Sequence, residues 1–216
     1  AMLIMAYQLF ENYEPETFQA LAKLFSKTAL EVCEGQQYDV DFETRDDVTI
    51  PEYLKMIEYK TAVLVGAAMK MGAIVANASI KDQDGIYEFG RLLGIAFQLQ
   101  DDYLDAFGNP ETFGKQVGGD IIVNKKTYLY LKALEVANDD EKGKLQYFYK
   151  KKLNENSVKI SEVRRIFELN DIPLLIKQEI ANYTEKAFDT LAKMSIEDVD
   201  KQSLKDFGLW LMNRSV

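Results

Sequence analysis

Residues 90–127, GRLLGIAFQLQDDYLDAFGNPETFGKQVGGDIIVNKKT, restrict the possible folds more than any other stretch. The run opens as a helix with an apolar wall of Leu92, Leu93, Ile95, Ala96, Phe97 and Leu99. It turns acidic at Asp101, Asp102 and Asp105 and meets a stop signal at Gly108-Asn109-Pro110. Gln98, Asp101, Asp102 and Asp105 fall at i, i+3, i+4 and i+7, one stripe of a helix, while Tyr103 and Leu104 point elsewhere and can pack. Local electrostatics oppose this arrangement. An acid in the last turns of a helix loses roughly 0.3–1 kcal/mol against the dipole, and like charges at i,i+4 repel by roughly 0.2–0.5 kcal/mol. A multivalent cation reverses both signs.

The stripe offers carboxylate and amide oxygens and neither histidine nor cysteine. Hard oxygen donors without soft ones suit Mg²⁺, which shares its shell with water and substrate phosphates. Downstream come Lys115, then Gly118-Gly119-Asp120, then Lys125 and Lys126. Cations on a glycine-punctuated segment beside an acidic shelf describe a diphosphate clamp.

The string Gln98-Leu99-Gln100-Asp101-Asp102-Tyr103-Leu104-Asp105 resembles the second aspartate-rich motif of the trans-isoprenyl diphosphate synthases, which include the farnesyl and geranylgeranyl diphosphate synthases. Gly114-Lys115, Gly118-Gly119-Asp120 and Lys125-Lys126-Thr127 match the next block of that family in order and spacing. A lone DDxxD is weak; the combined string is specific. The resemblance implies a prenyltransferase that condenses isopentenyl diphosphate with an allylic diphosphate after Mg²⁺-assisted ionisation, lengthening the chain by one isoprene unit. Asp101, Asp102 and Asp105 would hold Mg²⁺. Lys60, Lys115 and Lys125 would bind diphosphate oxygens, and Thr61 and Gln98 would flank the cation with weak dipoles. The family's Gly-Gln pair followed by Asp, which lines the cavity, is similar to Gly35, Gln36 and Asp39. A homodimer is the family's usual assembly.

Composition narrows the alternatives. The chain has 216 residues, 47% of them hydrophobic, enough for one domain with a sizeable core. A net charge of −9 argues against nucleic acid as a partner. The single cysteine, Cys33, excludes an internal disulfide. No apolar run reaches spanning length, so no membrane span is expected and a cytoplasmic location is the default. There is no histidine, which removes the commonest general base and zinc ligand. Catalysis must then rest on carboxylates, lysines, backbone and metal; the released diphosphate can take the proton.

Along the chain, residues 1–10 read as an apolar helix, and Pro15 opens a second one near Glu16–Glu34, with Leu21, Leu24, Phe25, Thr28 and Leu30 as its stripe. Gly35-Gln36 ends it, and residues 39–47 form an acidic surface loop that lacks the glycine and glutamate of a calcium loop. Thr49-Ile50-Pro51-Glu52 starts a helix running to about Asn77, with Thr49 as cap and Glu52 in capping-box position. Lys60 sits at its centre, where it either snorkels along an apolar face or meets a ligand. Asp82 or Asp84 caps the central helix. Later helices fall near residues 127–137, 141–153, 158–169, 173–194 and 203–213. Tyr147, Phe148, Tyr149, Phe167, Phe188, Phe207 and Trp210 are expected in the core, and Lys150-Lys151-Lys152 on a solvated face. No stretch alternates with period two, so the expected fold is one all-α domain, a bundle of long helices around a central cavity.

The family's first aspartate-rich motif is absent, since Asp46-Asp47 and Asp139-Asp140 lie in polar segments. The chain opens apolar from residue 1, as if N-terminal helices preceded it, and is expected alone to bind one Mg²⁺ with little transfer activity. A non-catalytic partner subunit of a heteromeric synthase is the alternative. Arg214 either reaches isopentenyl diphosphate or lies on the surface.

Overall fold

The computed structural model describes residues 2–109, 117–150 and 155–213. Among these residues there is no strand. Helices α1 (Met2–Gln8), α2 (Pro15–Thr44), α3 (Ile50–Ile57), α4 (Val63–Val75) and α5 (Ile80–Phe107) are followed by a single turn, α6 (Gly119–Ile122). Then come α7 (Tyr128–Val136), α8 (Asp139–Lys150), α9 (Asn156–Leu169), α10 (Ile172–Ala192) and α11 (Asp198–Met212). A π-helical segment, Glu58–Ala62, joins α3 to α4. No described helix is long and apolar enough to cross a membrane.

Helix α5 is the axis of the bundle. Most of its apolar wall is buried as expected: Leu92, Leu93, Ile95, Ala96 and Leu99 are sealed from solvent, while Phe97 is half-buried. One side packs on α4 and the π segment, the other on α10. The first approach is close enough that a Cβ on Gly94 would lie 2.6 Å from the Ala62 Cα. The larger core gathers Tyr53, Ile57, Leu99, Leu129, Leu145, Ile166, Phe167 and Ile176. A smaller one joins Phe89 and Leu93 to Ala187, Leu191 and Met194.

The capping box forms as its residues require. Thr49 Oγ1 accepts from the Glu52 backbone N–H, and Glu52 Oε2 accepts from the Thr49 N–H at 2.9 Å. Arg45 adds a second hold on Glu52 at 2.8 Å. Bonds from Thr49 and Arg45 keep the Glu52 carboxyl below the usual range.

Four expectations are corrected. Helix α2 does not stop at Gly35-Gln36 but continues to Thr44, so much of the expected acidic loop is helical. Gly35 serves packing instead: a Cβ there would lie 2.3 Å from the Lys60 backbone nitrogen, so only glycine lets α2 touch the π segment. The expected single helix from Thr49 to Asn77 is interrupted at its centre, where the Val63 N–H bonds the Glu58 carbonyl five residues back. Ser79, not Asp82 or Asp84, caps α5. Asp82 accepts from Ser79 Oγ and, at 2.7 Å, from the Ser195 N–H, tying the start of α5 to the end of α10. Finally, Tyr147, Phe207 and Trp210 are exposed rather than core, as is Leu30 of the α2 stripe, whereas Tyr149 and Phe167 are buried. Lys150 does lie on a solvated face, 3.1 Å from Asp46; Lys151 and Lys152 lie outside the described residues.

Candidate diphosphate site

The acidic stripe divides as it meets the fold. Successive helical residues differ by about 100° in direction, and the core closes over Asp102 while Gln98, Asp101 and Asp105 remain half-buried. Asp102 is 2% exposed. Its Oδ2 accepts a very short bond from the Tyr53 hydroxyl on α3 and a weak one, 3.4 Å, from the Tyr128 N–H at the start of α7. Its Oδ1 is buried with no hydrogen-bond partner. Burial, and then the neighbouring charge of Asp120, push this carboxyl up to about 7.

Asp105 anchors the segment that follows. Its Oδ2 accepts from the Asp120 N–H at 2.9 Å, and its carbonyl accepts from the Gly118 N–H at 2.6 Å. Gly118 has φ +84°, the left-handed region that glycine enters without strain. Burial followed by Asp120 raises the Asp105 carboxyl, and burial also raises Asp120. Lys125 Nζ stands 3.7 Å from Asp120 Oδ1. Burial opposes the charge on Lys125, yet Asp120, Asp102, Asp39 and Asp105 together hold its ammonium above the ordinary range.

From the facing side, Lys60 pairs with Asp39 of α2 at 2.5 Å, and Thr61 Oγ1 lies 3.2 Å from Gln98 Oε1. Both residues belong to the π segment. Such single-turn widenings occur often at functional sites because they displace side chains from the regular helical register. Lys60 is therefore ion-paired, not merely snorkelling along an apolar face.

Of the expected set, the fold gathers Asp102, Asp105, Lys125 and Lys60 around Asp120. Thr61 and Gln98 pair with each other, and Asp101 is half-buried on α5. Gln36 is exposed, beside the Gly35 contact. Lys115 and Arg214 lie outside the described residues. Lys126 turns away: its ammonium donates to the Phe42 and Glu43 carbonyls at 2.8 and 3.0 Å, capping the end of α2. Asp101, Asp102 and Asp105 do not converge as a ready metal cage; among the described residues no three acidic, histidine or cysteine side chains do. Three participants had no site role in the sequence. Asp120 stood there only within the Gly118-Gly119-Asp120 block, and Tyr53 and Tyr128 carried no signal beyond that of apolar helix positions.

The residues present fit a divalent cation. A buried carboxylate oxygen without a donor, beside carboxyls that burial and mutual repulsion drive upward, is an uncompensated negative site. The neighbouring carboxyls of Asp105 and Asp120 offer oxygen donors, the preference of Mg²⁺.

The protein-family model described as polyprenyl synthetase matches residues 1–167. The chain is 43% identical over 132 residues to a geranylgeranyl diphosphate synthase of Methanosarcina mazei, covering 60% of this chain and 41% of that protein. It is 37% identical over 147 residues to a short chain isoprenyl diphosphate synthase of Methanocaldococcus jannaschii, covering 68% of this chain and 43% of that one. It therefore spans less than half the length of these curated relatives. A crystal structure of a geranylgeranyl pyrophosphate synthase superposes with a TM-score of 0.93 at 53% identity, over 99% of this chain and 66% of that one.

Proposed function

The chain belongs to the polyprenyl synthetase family, and from that premise we propose that it carries the site where an allylic diphosphate is bound with Mg²⁺ and ionised for condensation with isopentenyl diphosphate. The observation that carries this reading is the charge surplus around Lys125. Four carboxylates, Asp39, Asp102, Asp105 and Asp120, bear on that lysine. Lys60 is the second cation of the group, paired with Asp39.

Asp101 and Asp105 would hold the metal, with Asp102 behind them adding negative potential from the core. With no three-acid cage among the described residues, water and the substrate's own diphosphate would complete the shell. Bound Mg²⁺ would supply charge neutralisation to the departing diphosphate. Lys125 and Lys60, with Lys115, would donate to its oxygens, and Gln36, about one turn before Asp39 on α2, would join them. Thr61 and Gln98 would present neutral dipoles to the allylic cation, stabilising it without capturing it. A histidine-free chain suits this chemistry, because the diphosphate released can accept the proton lost from the new double bond.

The test is calorimetric titration of the protein with a non-ionisable thio-analogue of an allylic diphosphate in the presence of Mg²⁺. Metal-dependent binding is expected, weakened at least tenfold by Asp101→Ala; equal affinity in that variant would overturn the assignment. The proposed homodimer rests on the family resemblance and on the exposed apolar residues Met2, Leu3, Ile4 and Met5 of α1. Light scattering decides it, and a monomer would refute it.

A further inference from the structure

Lys159 stands out among the charged side chains. It is 2% exposed, and burial pulls its ammonium below the ordinary range. The acceptors it reaches are not carboxylates. Nζ donates to the Ile122 carbonyl at 3.1 Å and to Asn124 Oδ1 at 2.5 Å, and it lies 5.5 Å from the Tyr149 ring. A buried lysine is costly unless its donors are used, and a leucine or methionine would fill the same volume on α9. Both hydrogen bonds fall on one short stretch, the end of α6 and the turn after it.

That stretch carries Asp120 and Lys125. Ile122 ends α6, where a carbonyl lacks its helical partner and a cation is favourable. Asn124 has φ +62°, a left-handed conformation that redirects the chain. The Lys125 N–H then bonds the Asp120 carbonyl at 2.9 Å. At the other end of the stretch, a Cβ on Gly118 would lie 2.9 Å from Ile160, the residue after Lys159. Asp105 ties the same segment to α5 through the Gly118 and Asp120 N–H groups. Residues 118–125 are thus held between two helices, by Asp105 on one side and by Lys159 with Ile160 on the other.

We propose that Lys159 is a positioning residue: through Ile122 and Asn124 it fixes the backbone that sets Asp120 and Lys125 against Asp102 and Asp105. That this placement serves diphosphate binding rests on the function proposed above; that Lys159 fixes the segment does not.

The test compares wild type with Lys159→Met, with Asn124→Gly, which keeps the left-handed turn but removes the side-chain acceptor, and with the double variant. Amide hydrogen exchange on the ligand-free proteins is the first readout. Exchange of the Ile122, Val123 and Lys125 amides should quicken at least tenfold in Lys159→Met relative to amides in the middle of α5. The double variant should add little to Lys159→Met, which already removes the Asn124 bond together with the Ile122 one, while Asn124→Gly alone should show a smaller effect. Unchanged protection of these amides in both single variants overturns the inference, whatever the protein binds. The second readout is titration with Mg²⁺ and inorganic pyrophosphate at a temperature where all variants are folded. A drop of about tenfold in affinity is expected in Lys159→Met. Lost protection with unchanged affinity would overturn the link to the site. Failure of wild type to bind Mg²⁺–pyrophosphate would instead count against the proposed function, with the exchange result still deciding the positioning role.

Discussion

The Tyr53 hydroxyl donates to Asp102 Oδ2 across the α3–α5 interface, and the other oxygen of that carboxylate is buried without a donor. This half-satisfied pair makes the ligand-free protein sensitive to pH. The Asp102 carboxyl stands at about 7 because burial, and then Asp120, disfavour its charge. In the unfolded chain it would titrate near the usual ~4. A raised acid stabilises the fold fully below the unfolded value, and this contribution is lost as pH rises through about 7. Asp105 and Asp120 are raised too and act in the same direction. Urea denaturation of the metal-free protein between pH 5 and pH 8 should therefore show stability declining with pH, and Asp102→Asn should flatten the slope. An unchanged slope in that variant would mean the charge is not buried as described.

Mg²⁺ with pyrophosphate should raise the melting temperature at pH 8, because ligands that bind only the folded state stabilise it by mass action. The gain is about 2.7 kcal/mol at a hundredfold excess over Kd. Asp105→Asn should abolish most of the shift. It removes a proposed ligand and also weakens the hold on the Asp120 N–H. A full shift in the variant, measured by calorimetry, would exclude Asp105 from the site.

Gly35→Ala should destabilise the protein by roughly 1–3 kcal/mol, the usual cost of overpacking. The added methyl would meet the backbone at Lys60, which has no rotamer by which to yield. Because Lys60 moves with that backbone, diphosphate binding should weaken as well. Denaturation curves and titration on the same variant check both outcomes; wild-type stability would show that α2 and the π segment are not in contact.

Thr49→Ala should cost about 1 kcal/mol through loss of the cap on α3, without altering metal-dependent binding, since the Thr49 side chain bonds Glu52 and no residue of the site. A binding defect would instead place the start of α3 in the site.

Much of the candidate site was legible because its chemistry is local. Asp101, Asp102 and Asp105 lie within one helix, and their spacing, apolar approach and following glycines and lysines identify an acidic shelf with a cationic segment. The capping box at Thr49 and Glu52 was readable for the same reason. The errors were of one kind. Gly35 looks like a terminator in sequence, and only the neighbouring π segment shows that it is a contact. Lys125 and Lys126 are adjacent and alike, yet one enters the acidic cluster and the other caps α2. Lys159 carries no motif at all.

From its residues alone, this protein was bound to be helical, to place carboxylates on the face of an otherwise greasy helix, and to lack histidine chemistry and an internal disulfide. Those properties follow from periodicity and composition, which act over a few residues. Which edge of the acidic stripe is buried, which lysine faces it, and what holds the Asp120 turn were decided by packing between segments up to dozens of residues apart. Exposure and charge pairing depend on what arrives from elsewhere in the chain, and no local pattern encodes that.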